Sequence, residues 1–371
     1  MAIATINPAT GETEVEFTAH TDAEIEARIA QSHDAFGALK STTFDERAAW
    51  MNASADLLEA EVETAARMLT TEMGKTLVQA RSEVLKSAKN LRFYAEKAEE
   101  FMTGRELPAA AVGASRAYTR YEPIGAILAV MPWNYPLWQV IRFAAPALMA
   151  GNTVLLKHAS NVPQSALYLD ELFERGGFPA GSFNTLLIGA AKVEGVLRDR
   201  RVVAATLTGS EPAGRSVAAI AGSEVKPVVL ELGGSDPFIV LPSADLPKAV
   251  ATAVTARTSN NGQACINAKR FIVHADVYDA FVEQFSAAMA ALRVGDPLDE
   301  STDLGPVATE SGRIEVDELV QDALAKGAVA TAGGAPLDGP GWFYPATVIT
   351  GITPEMRLYA EEAFGPVASV Y

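Results

Sequence analysis

Short apolar runs alternate with helical segments between residues 125 and 231, and this alternation restricts the fold more than any other feature of the sequence. The apolar runs are Gly125–Met131, Thr153–Leu156, Thr185–Ile188, Val202–Leu207 and Val228–Leu230. The segments of helical character between them are Trp138–Ala150, Val162–Arg175, Lys192–Arg198 and Glu211–Ala221. Strand and helix in alternation form a parallel sheet that is covered on both faces. We therefore predict an α/β fold, which binds its ligands at the carboxyl ends of the strands.

Helical periodicity precedes this region, and a second α/β pattern follows it. The three helices predicted before residue 103 are Asp22–Leu39, Phe44–Met73 and Lys75–Met102. Alternating β residues from Arg116 predict a small hairpin with the stretch near Glu106. The elements predicted after residue 231 are strand Phe238–Leu241, helix Leu246–Thr258, strand Arg270–His274 and helix Val277–Leu292.

Composition excludes several classes of function. Of the 371 residues, 49% are hydrophobic and 20% are charged, as in a soluble globular protein. The net charge of −16 opposes nucleic-acid binding, because phosphate contacts need a basic face. No apolar run approaches the ~18 residues of a membrane span, and the first residues carry no secretory signal. The histidines show no metal-ligand spacing, so no metal site is predicted. With a single cysteine, we expect a cytoplasmic protein.

The only cysteine, Cys265, follows the turn-forming residues Asn260, Asn261 and Gly262. Free cysteines are often inert core residues, but a turn of this kind puts the thiol at the end of a loop. Glu231 ends a β-rich run and precedes two glycines, which admit close approach of the backbone. A thiol and a distant carboxylate, without an obvious histidine partner, indicate covalent catalysis in which the carboxylate activates water.

Two further groups of residues follow the predicted strands. Pro132–Pro136 is a stiff loop in which the Asn134 amide could stabilise an oxyanion. Lys157 ends an apolar strand, where a charged side chain needs a ligand or solvent to stabilise it. The alternative for the first group is an ordinary proline-rich turn.

Two weaker candidate sites lie farther along the chain. Gly209 and Ser210 open a helix whose N-terminal N–H groups suit a pyrophosphate, although the G-x-G-x-x-G fingerprint is absent. Glu362 and Phe364, near the end of the sequence, could contact a ribose and a ring. The alternative for that last pair is a solvated acidic turn.

Six motifs taken together carry a family resemblance. In chain order they are PWNYP, LLK, TGS, ELGG, NNGQAC and EEAFGPV. Their order and spacing resemble the aldehyde dehydrogenase superfamily across essentially the whole chain. Within it, the segments LLKHASN, ELGGSDPFIV and GQACINAKRF resemble the succinate-semialdehyde dehydrogenase branch.

The resemblance implies a division into domains. Residues 1–103 and 124–231 would form a Rossmann-like NAD(P)-binding domain, and residues 232–371 a catalytic α/β domain. Residues 104–123 would form a protruding oligomerisation hairpin in a homodimer or homotetramer. Superfamily members normally continue for several dozen residues past the GPV motif, so the catalytic domain is expected to be incomplete.

The resemblance also implies catalytic roles. Cys265 would attack the aldehyde as a thiolate, and the Asn134 side chain with the Cys265 N–H would hold the oxyanion. Hydride transfer to the nicotinamide would leave a thioester, which water activated by Glu231 would hydrolyse. The residues implied in cofactor binding are Lys157 and Glu362 for ribose hydroxyls, Gly209 and Ser210 for the pyrophosphate, and Trp133 and Phe364 for the cleft.

Two departures from the family pattern concern specificity. Where many NAD-preferring relatives carry a ribose-binding glutamate, this chain has Ser160, which removes repulsion against a 2′-phosphate. NADP is therefore the expected cofactor, with NAD possible. Arg142 matches a position that pairs the distal carboxylate of semialdehyde substrates, whereas a second such arginine is replaced by Ser259. The expected substrate is succinate semialdehyde, a small carboxylated aldehyde.

Other functions stay open at this stage. The enzyme could use NAD to oxidise another aldehyde, such as glutarate semialdehyde or an amino-aldehyde. A truncated dehydrogenase fold could act only as a cofactor-binding or structural protein. An unrelated cysteine hydrolase would need a histidine to activate Cys265, and His158 lies in the cofactor motif instead.

Overall fold

The computed structural model describes residues 2–371. The chain forms two compact units, and the first comprises the residues up to Ile3, Phe17–Ala65 and Ser82–Glu231. The second comprises Ala4–Glu16, Ala66–Arg81 and Leu232–Tyr371. Residues 4–16 and 66–81 therefore group with the C-terminal unit, whereas the expected cofactor domain took in all of residues 1–103. They do so because they bond within that unit: the Leu77 N–H, for example, donates to the Pro297 carbonyl at 2.8 Å.

The elements before residue 103 are β1 (Ile3–Ile6), β2 (Thr13–Phe17), α1 (Asp22–Leu39), α2 (Phe44–Ala60), α3 (Val62–Met73) and α4 (Leu77–Phe101). Thr21 and Thr43 begin α1 and α2 with capping boxes, which satisfy N–H groups of the first turn. The prediction of one helix over 44–73 is wrong, because Glu61 leaves helical angles and ends α2. Neither glycine nor proline marks that break in the sequence.

A five-stranded parallel sheet forms the centre of the first unit. Its order is β7-β6-β5-β8-β9, with β5 at Ala126–Val130, β6 at Thr153–Lys157, β7 at Phe183–Thr185, β8 at Val202–Thr208 and β9 at Val228–Glu231. The connecting helices are α5 (Trp138–Met149), α6 (Pro163–Arg175), α7 (Val193–Arg198) and α8 (Glu211–Ser223). The predicted α/β fold is confirmed. One strand was misplaced, since β7 precedes most of the predicted run Thr185–Ile188.

The predicted hairpin is present as β3 (Glu106–Leu107) and β4 (Ala117–Tyr118). The two strands are antiparallel, with Glu106 opposite Tyr118 and Leu107 opposite Ala117. The short 3₁₀ helix Ala109–Val112 lies between them.

The second unit contains another five-stranded sheet, of order β10-β11-β14-β13-β12, in which only β12 is antiparallel to its neighbour. The strands are β10 (Asp236–Val240), β11 (Ala268–Val273), β12 (Val329–Ala332), β13 (Thr347–Thr350) and β14 (Val367–Val370). The helices are α9 (Leu246–Thr258), α10 (Ala275–Ala290), α11 (Glu310–Ala325) and α12 (Arg357–Ala360). Phe271, Phe281 and Phe285 form the centre of one core cluster. Among residues 2–371, no helix has the length and apolarity needed to cross a membrane.

Candidate active site

Six of the candidate residues of the first unit lie at or just beyond the carboxyl ends of its strands. Trp133 and Asn134 follow β5, Lys157 ends β6, Gly209 and Ser210 follow β8, and Glu231 ends β9. The strand register aligns these ends, with Val130 opposite Lys157 and Thr208 opposite Glu231. Ser160 lies three residues beyond β6, and Arg142 lies on α5. The topology thus brings the predicted cofactor residues of this unit to one edge of the sheet.

The residues at this edge fit a phosphorylated dinucleotide. Lys157 is only 9% exposed, and burial lowers the pKa of its ammonium, with no charged neighbour among the described residues contributing to the shift. A buried cation of this kind is costly unless it meets a polar partner, which ribose hydroxyls or phosphate oxygens would provide. Ser210 is exposed and precedes the first turn of α8, where free N–H groups favour anions.

Two buried side chains position the loop that carries Asn134. One carboxylate oxygen of Glu83 accepts from the N–H groups of Leu137 and Trp138 at 2.9 and 3.0 Å. His158 is 5% exposed, and its Nε2 lies 2.9 Å from the Pro136 carbonyl oxygen. Asn134 itself is buried at 4% exposure. The loop is therefore held from both sides, as an oxyanion donor requires.

His158 is neutral in the folded protein. Its Nδ1 accepts from the Ala159 N–H at 2.9 Å, so the proton resides on Nε2 and is donated to the Pro136 carbonyl. Burial lowers the pKa of His158 to about 4, and the neighbouring Lys157 charge acts in the same direction. His158 had no predicted role, because nothing local in the sequence shows that it supports the Asn134 loop.

The depressed pKa of His158 predicts a loss of stability in acid. In the unfolded chain the imidazole takes up a proton near its ordinary pKa of 6.5, whereas the folded protein resists protonation down to about 4. Stability is therefore complete above pH 6.5 and falls as the pH drops towards 4, by about 2 kcal/mol at pH 5. Denaturant unfolding from pH 7 to pH 5 should show a smaller loss for His158→Gln than for wild type. The exposed His33→Gln variant should follow wild type, and an unchanged slope in His158→Gln would contradict the assignment.

Arg142 lies beside Glu231. A terminal nitrogen of the guanidinium is 3.7 Å from a Glu231 carboxylate oxygen, and the other donates to the Thr208 hydroxyl at 3.3 Å. Both side chains remain partly exposed, at 38% and 54%, so the pair is accessible to a ligand. Such an exposed ion pair is weak, and a substrate carboxylate could compete for the guanidinium.

The loop before Cys265 has an unusual backbone. Asn260, Asn261 and Gly262 have φ values of 57°, 55° and 76°, three consecutive residues in the left-handed region. Asparagine and glycine tolerate this region better than other residues. The predicted turn is therefore confirmed, and it leaves Cys265 half-buried at the end of the loop.

Side chains hold this left-handed turn on several sides. Asn261 donates to the carbonyl groups of Gly74 and Pro306 at 2.7 and 2.9 Å, and its own oxygen accepts from Gly305 at 3.0 Å. A Gln79 oxygen accepts from the Asn260 N–H. These bonds satisfy buried polar groups and make the turn rigid.

Glu362 and Phe364 lie on the segment next to that loop within the second unit. Glu362 forms an ion pair with Lys269 at 2.8 Å, so it is not the solvated acid considered above. The adjacent Glu361 instead pairs with Arg357 at 2.9 Å. Phe364 is half-buried. Gly233 lies against Glu362, since a Cβ there would stand 2.2 Å from a carboxylate oxygen.

Comparison with known proteins places this architecture in a family. The sequence profile of the aldehyde dehydrogenase family matches residues 1–371. The chain belongs to the aldehyde dehydrogenase family. The resemblance drawn from the six motifs is therefore confirmed.

This aldehyde dehydrogenase is similar to proteins of known name. It is 66% identical to succinate-semialdehyde dehydrogenase (NADP+) 1 of Mycobacterium bovis BCG, over 100% of this chain and 81% of that protein. It is 64% identical to succinate-semialdehyde dehydrogenase (NADP+) of Mycobacterium leprae, with the same coverage. The crystal structure of succinic semialdehyde dehydrogenase from Streptococcus pyogenes with NADP+ as cofactor superposes with a TM-score of 0.96 at 36% identity, covering 99% of this chain and 80% of that one.

Four residues that hold candidate site residues in place had no predicted role, namely Glu83 and His158 in the first unit and Arg257 and Lys269 in the second. One of them had a detectable signal. Val250, Ala253 and Arg257 lie on the buried face of α9, so the sequence puts an arginine on an apolar helical stripe. A charge on such a face requires buried partners. This mismatch between the charge and the apolar face could have identified Arg257 as a structurally important residue.

Proposed function

We propose that this protein oxidises succinate semialdehyde to succinate with NADP as hydride acceptor. The observation that carries the proposal is that its single thiol lies half-buried at the end of a braced turn, since reactive cysteines are partially exposed. The named relatives at 64–66% identity support the substrate and the cofactor. The relative from Streptococcus pyogenes, crystallised with NADP+, supports the cofactor as well.

In the proposed mechanism, the Cys265 thiolate forms a bond to the aldehyde carbon. The Asn134 amide and the Cys265 N–H stabilise the oxyanion that develops on the former carbonyl oxygen. NADP, when bound, supplies the acceptor for the hydride that leaves this carbon. Glu231 then takes a proton from water, which attacks the thioester carbon and releases succinate and the thiolate. Lys157, Glu362, Ser210 and the loop residues Trp133 and Gly209 would hold the cofactor, together with Phe364.

The experiment that tests this function follows reduced-cofactor absorbance with succinate semialdehyde, using NADP and NAD in parallel. We expect turnover with both, and a higher kcat/KM with NADP. A folded protein that turns over neither would contradict the proposed reaction. Turnover of glutarate semialdehyde or an amino-aldehyde in preference to succinate semialdehyde would contradict the substrate alone.

Cofactor preference is expected to depend on Ser160. Ser160→Glu would put a carboxylate where a 2′-phosphate is proposed to lie, and the like charges would repel. We expect the ratio of kcat/KM for NADP to that for NAD to fall about tenfold or more, equivalent to about 1.4 kcal/mol. Ser243→Glu, at an exposed position of the second unit, is the control. An unchanged ratio in Ser160→Glu would show that this residue does not discriminate.

Substrate charge is expected to be recognised by Arg142. Arg142→Gln should lower kcat/KM for succinate semialdehyde about 10- to 100-fold relative to butanal, because a charge-assisted hydrogen bond contributes about 1.5–3 kcal/mol. Comparison with butanal, which lacks the carboxylate, separates substrate recognition from any effect on Glu231. Arg215→Gln, which removes an exposed ion pair with Glu211, is the control. Equal losses on both aldehydes would refute the carboxylate contact.

We also infer a homodimer or homotetramer that works in the cytoplasm. The apolar side chains Leu107, Val112 and Tyr118 of the hairpin region are exposed, which supports a protein interface there. The single free thiol suits a reducing compartment. Light scattering of the purified protein would give the oligomer size.

A further inference from the structure

Lys269 joins the nucleophile to a candidate cofactor residue. It is the second residue of β11, and its side chain is 3% exposed. Its Nζ donates to the main-chain oxygens of Cys265 and Ala264 at 2.8 and 3.0 Å. The same atom lies 2.8 Å from a carboxylate oxygen of Glu362. Two N–H donors of the ammonium thus bond to main-chain oxygens, and the Glu362 carboxylate lies at ion-pair distance.

This arrangement is specific to a cation at this position. Burial lowers the pKa of Lys269, while the Glu362 carboxylate opposes that change. Removing a charge from water costs several kcal/mol, which the fold recovers only with well-placed partners. An apolar side chain of equal length would fill the space, but it would remove the hydrogen bonds to two carbonyl groups and the ion pair with the Glu362 carboxylate. The cation therefore links the Cys265 main chain to the Glu362 side chain.

Arg257 provides a neighbouring contrast, because its hydrogen bonds within residues 2–371 go to main-chain oxygens. Its guanidinium is fully buried and donates to the carbonyl groups of Gly262, Ala268, Ala363 and Gly365. These bonds join the left-handed turn to the segment that carries Glu362. Arg257 thus fixes the two backbones, whereas Lys269 also reaches a carboxylate that is 24% exposed and available to a ligand.

We propose that Lys269 is a positioning residue that couples the cofactor-binding carboxylate of Glu362 to the main chain of Cys265. It orients Glu362 for its contact with a cofactor hydroxyl and fixes the carbonyl group of the nucleophile. The inference rests on the proposed function, since the cofactor role of Glu362 is part of it. A purely structural lysine would affect stability and would act on cofactor binding independently of Glu362.

The test is a double-mutant cycle on cofactor affinity, which needs no aldehyde. The variants are Lys269→Met, Glu362→Gln and the double variant, with the exposed Lys248→Met as matched control. The dissociation constant of NADPH, or of NADH if wild type prefers it, is measured by fluorescence. We expect Lys269→Met to weaken binding about tenfold when Glu362 is present and less than about twofold when it is Gln. Lys248→Met should bind like wild type.

Several outcomes would overturn the coupling. Unchanged affinity in Lys269→Met would do so, and so would equal weakening in both backgrounds, which marks a structural role. If Lys269→Met fails to fold, Lys269→Arg takes its place in the cycle; it keeps the charge, and we expect a smaller weakening that again depends on Glu362. Wild-type turnover of succinate semialdehyde is recorded separately. Its absence would refute the proposed substrate, while the binding cycle would still decide the role of Lys269.

Discussion

Replacing Cys265 by alanine should abolish aldehyde oxidation, with kcat lowered roughly 10⁴-fold or more. The reason is that the chain contains one cysteine, so no other thiol can form the bond to the aldehyde carbon. The braced turn Asn260–Gly262 holds this residue through contacts that do not involve its side chain. Reduced-cofactor absorbance during turnover measures the loss. Residual activity above about one per cent would contradict covalent catalysis by this thiol.

The same variant supplies its own control for folding. Because the Cys265 side chain is half-buried, its truncation to alanine should change the melting temperature little. Cofactor affinity should also remain, since the cofactor contacts are assigned to other residues. Iodoacetamide should label wild type once per chain and leave Cys265→Ala unlabelled. If the variant neither binds cofactor nor melts cooperatively, its loss of activity would be due to misfolding and not to the missing thiol.

Gly262→Ala should be the most damaging single change to the nucleophile loop. Gly262 has φ of 76°, and a Cβ there would stand 2.5 Å from the Gly365 carbonyl carbon. The left-handed region costs an alanine about 1–2 kcal/mol, and the clash involves backbone, which cannot rotate away. We therefore expect destabilisation of about 3 kcal/mol or more, together with loss of activity as Cys265 is displaced.

A matched substitution distinguishes this steric effect from a general effect of glycine removal. Gly222 lies inside α8 with no atom within 4 Å of a built Cβ, so Gly222→Ala should be neutral or stabilise by up to about 1 kcal/mol. Thermal and denaturant unfolding of both variants give the comparison. If Gly262→Ala melts like wild type with full activity, the close approach to Gly365 is unimportant.

Local patterns in the sequence were sufficient to predict much of the fold. Periodicity and apolar runs predicted α1 and α9 with their observed bounds and the parallel sheet of the first unit. The turn before Cys265 was predicted too, because asparagine and glycine are the residues that most readily adopt left-handed backbone angles. The strands β13 and β14 were not predicted, although β9 has the same length and was predicted. Their places in the sheet depend on pairing: β14 lies between β13 and β11, and its contact with β11 joins residues far apart in the chain.

The sequence by itself determined the family, the candidate nucleophile and the residues at the strand ends, because motifs and short-range periodicity record them. Only the tertiary structure revealed that His158 holds the loop of Asn134, that Arg142 pairs with Glu231, and that Lys269 contacts Cys265 and Glu362. The physical reason is that a buried polar group is stabilised by whichever partners the fold brings to it. Several of those partners lie dozens of residues away in the sequence, and no local pattern predicts them.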